Sequence, residues 1–335
     1  MNHLLEIHDL RTYYLTDQGW VRALDGINLW LDRGKTLGIA GETGSGKTTL
    51  AFSILRLLPP NARIFSGKII FEGTNLLELD ENSMNQIRQK RISLIIQGTS
   101  DALNPLMEAG WQVEEAIEYH EDVTLDEALD RVKKLFEEVE LGSFRIINLP
   151  HELSIGMKQR VKIALAISTH PDLIIADEPF MGLDPPLQMM MINLLEKFKE
   201  KYAYSMIFMT HNLALLAGIS DHIAIIYAGK LMEFGPTRDV FKHPIHPYTK
   251  GLIGAIPDPR YPKRRRLIYI PGAPPSLINP PKGCIFRPRC PIAKDICKIE
   301  PPLKKIGDSL VSCHFAEEIA DIPPWEFWSK EIAYY

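Results

Sequence analysis

Short apolar runs separated by turn residues fill the first part of the chain and indicate β-strands. Residues 23–31 and 36–40 are two such runs, and residues 48–58 are predicted to form a helix. Two later runs, 173–177 and 205–209, predict buried strands, and a helix is predicted ahead of the first of them. Because strands alternate with helices, the pattern predicts an α/β fold with a mostly parallel sheet.

Between residues 112 and 140 the pattern changes to one typical of helices. Thr124 followed by Glu127 forms a capping-box sequence, in which each residue satisfies a backbone N–H of the other. The apolar positions that follow recur at helical spacing and predict a face packed against the core. These positions are Leu125, Leu129, Val132, Leu135, Phe136 and Val139.

A proline-rich stretch separates the C-terminal part of the chain from the rest. Eight of the twenty-five residues from 257 to 281 are proline, which excludes a regular helix or a central strand there. We expect this stretch to connect or wrap a second module, residues 240–335, that follows a first domain of residues 1–239. The length of 335 residues fits two domains better than one.

Composition and charge narrow the class of protein. Hydrophobic residues make up 45% of the chain, which is enough for a large core. The 38 Lys and Arg residues are outnumbered by 42 Asp and Glu residues, so nucleic acid is not an expected partner. The basic run at 263–266 is interpreted as solvated surface, with a site for nucleic acid or anionic lipid as the alternative. Without an export signal or a long uncharged apolar run, the chain is expected neither to span a membrane nor to be exported by this route, although it can lie on one.

A glycine-rich loop carries the clearest chemical signal. Residues 41–48, here called the phosphate loop, read Gly-Glu-Thr-Gly-Ser-Gly-Lys-Thr between a predicted strand and a predicted helix. Glycines let the backbone curl until successive N–H groups point at one anion, and the helix adds its positive end. Lys47 can then reach the β- and γ-phosphates, and the Thr48 hydroxyl can bind Mg²⁺. A chance glycine-rich turn is the alternative, and the strand–loop–helix context argues against it.

An Asp–Glu pair ends the strand predicted at 173–177. Asp177 can hold Mg²⁺ through water, and Glu178 is then placed to activate the attacking water as a general base. Taken alone, such a pair is more typical of a solvated turn. After four apolar residues, in a chain with a phosphate loop, it indicates nucleotide hydrolysis.

Three further motifs point to one family. Residues 153–160 open a helix with Ser154 as its N-cap, Gln97 ends an apolar run, and His211 follows the strand predicted at 205–209. In this order and spacing, residues 1–235 resemble the ATPase subunits of ABC transporters. An ordinary P-loop kinase or GTPase would leave residues 153–160 and His211 unexplained. Soluble ABC ATPases that act on DNA carry a long coiled-coil insertion, those that act on ribosomes carry two ATPase domains, and the sequence has neither.

The resemblance implies a fold and a set of site residues. The fold would be a RecA-like P-loop NTPase core with an antiparallel β subdomain and a helical subdomain at about 100–165. Glu178, His211 and Gln97 would be catalytic, with His211 on the γ-phosphate, and Thr48, Gln97 and Asp177 would bind Mg²⁺. The residues implied in binding ATP are Tyr14, Gly41, Gly44, Ser45, Gly46, Lys47, Thr48, Thr49, Ser154, Gly156 and Asp184.

The same resemblance implies a dimer of ATPases. Two such subunits sandwich two ATP molecules, each held between one phosphate loop and the partner's signature segment, which here is residues 153–157. Tyr14 would stack on adenine, with Tyr13 as the alternative. Because the chain has one phosphate loop and no internal repeat, a second ATPase subunit is implied.

Two departures from the family pattern are present. Ile155 stands where the first signature glycine is usual, and its β-branched side chain would crowd the γ-phosphate. We therefore expect two unequal ATP sites. Gly-Thr-Ser follows Gln97 where Asp-Pro is common, which alters the expected shape of that loop.

All four cysteines of the chain lie within thirty residues near its C-terminal end. This clustering in a large chain favours one metal site over a disulfide framework. Their spacing lacks the close pairs typical of zinc sites, and four thiolates also suit a 4Fe–4S cluster. Zinc and unmetallated thiols stay as alternatives. The four residues are Cys284, Cys290, Cys297 and Cys313.

The C-terminal part narrows the family further. Residues 243–249, His-Pro-Ile-His-Pro-Tyr-Thr, with Ile-Pro-Gly at 270–272 and the cysteine segment, resemble the C-terminal extension of dipeptide/oligopeptide importer ATPases. This implies a small irregular metal-binding module with a 4Fe–4S cluster on the four cysteines, zinc being less favoured. It also implies two transmembrane permease subunits, an extracytoplasmic substrate-binding protein and a peripheral position on the cytoplasmic face of the cell membrane. The cargo would be di- or oligopeptides, with oligosaccharides or nickel as alternatives, and His243 and His246 are expected to be structural.

Overall fold

The structure, a computed structural model, describes residues 3–98, 103–257 and 267–332. The chain forms two compact units. The first contains the chain up to residue 31, residues 36–77, and the chain from residue 210 onward, and the second contains residues 32–35 and 78–209. Residues 99–102, which follow Gln97 and Gly98, and the basic run at 263–266 lie outside the described residues.

Strands and helices alternate along most of the chain. The strands are β1 (Leu5–Thr16), β2 (Gly19–Leu31), β3 (Thr36–Ala40), β4 (Ala62–Phe71), β5 (Thr74–Asn75), β6 (Ile92–Ile95), β7 (Leu173–Asp177), β8 (Ser205–Thr210), β9 (His222–Tyr227), β10 (Lys230–Pro236), β11 (Lys304–Ile306) and β12 (Ser309–Val311). The helices are α1 (Lys47–Leu55), α2 (Glu81–Asn85), α3 (Ala109–His120), α4 (Leu125–Glu138), α5 (Ile155–Ile167), α6 (Pro185–Tyr202), α7 (Leu213–Ile219), α8 (Thr237–Lys242), α9 (Pro247–Gly254), α10 (Ala316–Ile319) and α11 (Pro324–Ile332). Across the described residues, none of these helices has the length and apolar character needed to cross a lipid bilayer.

The first unit contains two sets of paired strands. An antiparallel sheet has the order β2–β1–β4–β5, with Leu5 of β1 opposite both Leu31 and Phe71. In the other set β3 runs parallel to β9, and β10, β12 and β11 add antiparallel partners beyond it. β3 is buried along its whole length. It ends at Ala40, and the phosphate loop begins at the next residue.

The second unit is built on three parallel strands in the order β6–β7–β8. β7 and β8 are buried at every position, as their continuous apolar runs predict. The helices α3 and α4 pack on each other, and α5 packs on β6. The strands predicted at 36–40, 173–177 and 205–209 are thereby confirmed.

Helix α1 is shorter than the sequence predicts. It ends at Leu55 instead of residue 58 because Arg56 adopts the left-handed region, with φ of 54°. Two prolines at positions 59 and 60 follow, and the residue before a proline avoids helical geometry. The left-handed cap therefore ends the helix one turn early.

The helical region predicted at 112–140 consists of two helices, α3 and α4. The predicted capping box is confirmed, since Glu127 N donates to Thr124 Oγ1 (3.4 Å) and Thr124 N donates to Glu127 Oε2 (2.8 Å). Val132 and Phe136 are fully buried, as predicted for a core-facing side. Leu125 is the exception, with 63% exposure at the first position of α4.

The C-terminal residues are integrated into the first unit. β12 pairs with β10, which places Glu233 opposite Val311. Lys250 Nζ of α9 donates to Ile322 O (2.6 Å). The stretch 267–281 contains neither helix nor strand, as its prolines predict. The domain boundary predicted between residues 239 and 240 stays a prediction.

A fully buried histidine starts helix α9. Tyr248 N donates to His246 Nδ1 (3.0 Å), which makes His246 the N-cap, so its predicted structural role is confirmed. Burial lowers the pKa of His246 to about 3, so the ring is neutral. Beside it, the Glu233 carboxylate accepts N–H groups from Ile245 (3.0 Å) and His246 (2.8 Å), while burial raises the pKa of Glu233 to about 7.

The neutral His246 predicts a loss of stability in mild acid. Unfolded histidine takes up a proton below its ordinary pKa of about 6.5, whereas the folded ring excludes it down to about pH 3. The free energy of unfolding should therefore fall as the pH drops from about 6.5 towards 3, because the unfolded state alone gains a proton. His246→Asn keeps a capping acceptor and should flatten this decline.

Urea unfolding of both proteins at about pH 7.5 and about pH 5.5 measures the difference. Comparing variant with wild type cancels the opposite contribution of Glu233, whose raised pKa favours the folded state as the pH falls. An equal loss of stability in both proteins would exclude His246 as the cause.

Candidate nucleotide-binding site

The phosphate loop curls tightly between β3 and α1. Gly44 and Gly46 have φ of 79° and 108°, a region that other residues rarely adopt. A Cβ added to Gly41 would lie 2.1 Å from Ile226 O, and one added to Gly46 would lie 2.5 Å from Ala23 O. The loop runs so close to neighbouring backbone that these two positions accept only glycine.

Polar groups of the loop suit a phosphate. Ser45 Oγ is buried, with 3% residue exposure, and has no hydrogen-bond partner among the described residues. Because a buried hydroxyl needs a partner, a phosphate oxygen would satisfy it. Lys47 Nζ donates to Gly41 O (2.8 Å) and Glu42 O (3.3 Å), bridging the start of the loop to the start of α1. Thr48 is exposed, so its hydroxyl is accessible to a cation.

The two candidate adenine-stacking tyrosines face different neighbours. The Tyr14 hydroxyl lies 3.3 Å from Thr49 Oγ1 on α1, within hydrogen-bond distance. The Tyr13 hydroxyl instead donates to Asp25 Oδ1 (2.8 Å), and its ring packs 4.7 Å from that of Phe65. Tyr14, and not Tyr13, therefore lies beside the helix that follows the phosphate loop.

His211 is held on a short turn of the first unit, between β8 and α7. Its side chain is exposed. The next residue, Asn212, caps α7 by accepting the Ala214 N–H (3.1 Å), and Asn212 N donates to Thr210 Oγ1 (3.1 Å). Hydrogen bonds on both sides thus fix the backbone that carries His211.

Asp177 is the last residue of β7 in the second unit, and Glu178 follows it. Both residues are buried. Glu178 has φ of 43°, which is uncommon for a residue with a side chain. Its N–H donates to Met209 O (2.9 Å) on β8, which holds it in this conformation. Such a backbone costs about 1–3 kcal/mol and is concentrated at functional sites. Glu178 therefore carries local strain of the kind expected at a catalytic position.

The turn after Glu178 is braced by side chains of α6. Gln188 Nε2 donates to Phe180 O (3.2 Å) and Leu183 O (3.0 Å). Asp184 is the N-cap of α6 and accepts the Leu187 N–H (2.9 Å). The candidate nucleotide contact Asp184 is thus oriented by its own helix.

Gln97 follows β6 and is exposed. Its Nε2 donates to Met181 Sδ (3.2 Å). Lys162 of α5 is only 4% exposed, and its Nζ donates to Gly98 O (2.6 Å) and Ile96 O (3.4 Å). One buried ammonium group therefore holds the carbonyls on both sides of Gln97, and burial lowers the pKa of Lys162 to about 8.

The signature segment forms the start of α5. Ser154 is its N-cap and accepts the Met157 N–H (3.3 Å). A Cβ added to Gly156 would lie 3.1 Å from Leu187 Cδ2, so this glycine permits close packing of α5 on α6. Ile155 is 51% exposed, which places a bulky side chain on the surface at the beginning of the helix.

Comparison with protein families and with known proteins gives one consistent result. Residues 24–181 match the family described as ABC transporter, and residues 232–297 match the one described as oligopeptide/dipeptide transporter, C-terminal region. The oligopeptide transport ATP-binding protein OppD of Salmonella typhimurium is 42% identical over 305 residues, 90% of each chain. The dipeptide transport ATP-binding protein DppD of Caldanaerobacter subterraneus is 39% identical over 322 residues, 95% of this chain and 98% of that one.

The chain belongs to the oligopeptide/dipeptide family of ABC transporter ATP-binding proteins. A dimeric structure of a bacterial ABC transporter cassette has the same fold, with a TM-score of 0.63 at 25% identity, covering 70% of this chain and 99% of that one. The expected α/β P-loop NTPase fold of ABC ATPases, with antiparallel and mixed sheets, is therefore confirmed. As a member of this family, the chain is a transport ATPase that hydrolyses ATP.

The four cysteines of this ATPase are free thiols that share one neighbourhood. Cys284, Cys297 and Cys313 lie close enough to Cys290 to contribute to its raised pKa. Cys284 N also donates to Cys297 O (2.9 Å). Burial raises the pKa of Cys290 to about 12 and that of Cys313 to about 11. These thiols are therefore protonated at neutral pH.

The expected metal-binding module is not assembled as a ligand group. Within 3–98, 103–257 and 267–332, no set of three or more His, Cys, Asp or Glu side chains is arranged to hold a metal ion. Because a metal binds thiolates and these buried thiols are protonated, deprotonation and a common sulfur centre would accompany metal binding. Four cysteine sulfurs in one neighbourhood are nevertheless the donor set that an iron–sulfur cluster uses.

Sequence reasoning missed two side chains that hold loops of the candidate site, Arg289 and Lys162. Arg289 Nη1 donates to both carboxylate oxygens of Glu42 (3.0 Å each), although the two residues are 247 positions apart. No local pattern could indicate that pair. Lys162 was also missed, and the only signal for it was a lysine between apolar neighbours in the predicted helix.

Lys162→Met tests whether the buried ammonium group positions Gln97. We expect ATP affinity close to wild type, because Lys162 Nζ donates to the carbonyls beside Gln97 and is not among the proposed phosphate contacts. The ATP hydrolysis rate constant kcat of the assembled transporter should fall about tenfold or more, since misplacing a group near the reaction is costly. Lys197→Met, at an exposed position on α6, is the matched control. Equal kcat for Lys162→Met and wild type would contradict a positioning role.

Proposed function

We propose that this chain is the ATP-hydrolysing motor subunit of an importer that carries di- and oligopeptides into the cell. The observation that carries the proposal is the similarity to oligopeptide and dipeptide transport ATP-binding proteins over 90% or more of the chain, including the C-terminal region. Oligosaccharides and nickel are the alternative cargoes of the same motor. A soluble ABC ATPase that acts on DNA or ribosomes is the alternative of a different class.

ATP and Mg²⁺ would be held by residues already described. Lys47 and Ser45 would bind the phosphates together with the glycine-rich backbone, and the orphaned Ser45 hydroxyl supports this assignment. Thr48 and Asp177, with Gln97, would bind Mg²⁺, which would neutralise charge on the phosphates.

The hydrolytic roles follow from the same residues. Glu178 would accept the proton of the attacking water, and its strained backbone supports a catalytic role. His211 would donate a hydrogen bond to the γ-phosphate. Tyr14 would stack on adenine, because it is the tyrosine beside α1.

The chain would work as one half of an ATPase heterodimer. Ser154, Gly156 and Asp184 would then contact the nucleotide bound by the partner's phosphate loop. Ile155 would crowd that nucleotide, so the site completed by this chain's signature segment would be the weaker of two. Two transmembrane permease subunits and an extracytoplasmic substrate-binding protein would complete the importer, with this chain on the cytoplasmic face of the membrane.

Residues 1–239 would form the ATPase domain, and residues 240–335 the importer-type extension. We assign the four cysteines of that extension to a 4Fe–4S cluster, with zinc as the second choice. Their shared neighbourhood and the absence of close pairs support the cluster. Binding would deprotonate the thiols and draw the sulfurs to one centre, a structural role.

Metal content tests the cysteine assignment. Protein purified without oxygen should be brown, with iron and acid-labile sulfide in equal amounts and a broad absorption band near about 400 nm. Cys290→Ser should lose most of the iron and the band. Stoichiometric zinc without iron would contradict the cluster.

Affinity isolation of this chain from mildly solubilised native membranes tests the motor role. We expect two membrane-spanning subunits, a second ATPase with its own phosphate loop, and a substrate-binding protein that carries a peptide. An oligosaccharide or nickel on that protein would replace the peptide assignment. Recovery of ribosomes, DNA or only copies of this chain would overturn the transport role.

ATP turnover by the isolated complex tests the catalytic roles. Glu178→Gln should reduce ATP turnover at least about a hundredfold, because the general base is lost. The corresponding substitution in the partner ATPase should cost much less, since that site faces Ile155. Near wild-type turnover by Glu178→Gln would contradict its assignment, and equal losses in the two subunits would contradict unequal sites.

A further inference from the structure

Glu42, the second residue of the phosphate loop, carries a negative charge in a loop that holds a triphosphate. Like charges close together raise the free energy of the bound state. Both carboxylate oxygens of Glu42 accept a hydrogen bond from Arg289 Nη1, at 3.0 Å each. Arg289 is only 8% exposed, so solvent screens this ion pair weakly. The guanidinium group therefore neutralises the one carboxylate of the loop.

Arg289 is itself held by the C-terminal region. Its Nε donates to Pro271 O (2.9 Å), its Nη2 to Ile270 O (3.3 Å), and its Nη1 also to the Tyr227 hydroxyl (3.2 Å). It ends the short 3₁₀ turn Arg287–Arg289, and Cys290 is the next residue. The position of the guanidinium group thus depends on the fold of the cysteine segment.

A second contact reaches the same loop residue from the same region. Glu42 N donates to the Tyr248 hydroxyl (3.1 Å), and Tyr248 is fully buried on α9. The Tyr248 ring packs 5.4 Å from the ring of Phe286, which lies between Cys284 and Cys290. Both the charge and the backbone of Glu42 are therefore fixed by groups that pack with the cysteine segment.

We propose that Arg289 is a positioning residue for ATP binding, because it keeps the one carboxylate of the phosphate loop paired with a cation. Without the guanidinium group, the unpaired Glu42 carboxylate repels the triphosphate.

Charge rescue tests the role of Arg289. The Kd for a non-hydrolysable ATP analogue is measured on the full chain, purified without oxygen, for Arg289→Gln, Glu42→Gln and the double variant. Arg289→Gln should weaken binding about tenfold, and adding Glu42→Gln should restore it to within about twofold, because the repelling charge is gone. Arg287→Gln removes a cation from the same turn and serves as the matched control.

Rescue separates positioning from a general loss of structure, because Glu42→Gln cannot refold a damaged protein. If Arg289→Gln is too unstable to purify, Arg289→Lys keeps the charge but loses the donors to Pro271 O and Ile270 O, and should give an intermediate Kd. A wild-type Kd for Arg289→Gln, or a double variant as weak as Arg289→Gln, would overturn the proposal.

Discussion

The close approach of backbone segments at the phosphate loop is the constraint on which the first unit depends. Gly229, just before β10, donates its N–H to Ser45 O (3.0 Å), and its carbonyl accepts the N–H of Asp25 on β2 (2.8 Å). A Cβ on Gly229 would lie 2.8 Å from Ala23 O, so the segments cannot separate to make room for a side chain. Because these backbone contacts hold the loop in its curled form, its N–H groups need little reorganisation to receive an anion.

In the second unit, hydrogen bonds between elements distant in sequence fix the backbone of the candidate site residues, as close backbone packing at glycines does in the phosphate loop. Glu178 keeps an unfavourable φ because its N–H is paired with Met209 O on the neighbouring strand. The chain on either side of Gln97 is held by the ammonium group of Lys162, which projects from the helix that begins with the signature segment. The register of β7 against β8 and the placement of α5 therefore set the positions of the proposed general base, Glu178, and of a proposed Mg²⁺ ligand, Gln97.

Features encoded within a few residues could be predicted, and features that join distant residues could not. The strand–loop–helix at residues 36–55 and the Thr124 capping box each follow from local backbone preferences and short-range hydrogen bonds. The pair formed by Glu42 and Arg289 depends on how the C-terminal region packs, and neither residue has an unusual local context. The geometry of the four cysteines would depend on a positive centre that the sequence does not contain, so their clustering predicts a shared neighbourhood but not the positions of their sulfurs.

The Glu42–Arg289 pair joins the phosphate loop to the C-terminal region within one compact unit. A carboxylate in a phosphate-binding loop weakens binding unless a cation stays close to it, and a flexible surface lysine would be screened and mobile. A guanidinium group held by two backbone carbonyls and the Tyr227 hydroxyl loses little entropy when it forms an ion pair. The positive charge that offsets the Glu42 carboxylate therefore stays in place. Tyr227 also packs 4.7 Å from Tyr248, whose hydroxyl receives the Glu42 N–H. The same aromatic packing thus supports the ion pair that offsets the Glu42 charge and the hydrogen bond that positions the Glu42 backbone. A change in one of these contacts therefore alters the other.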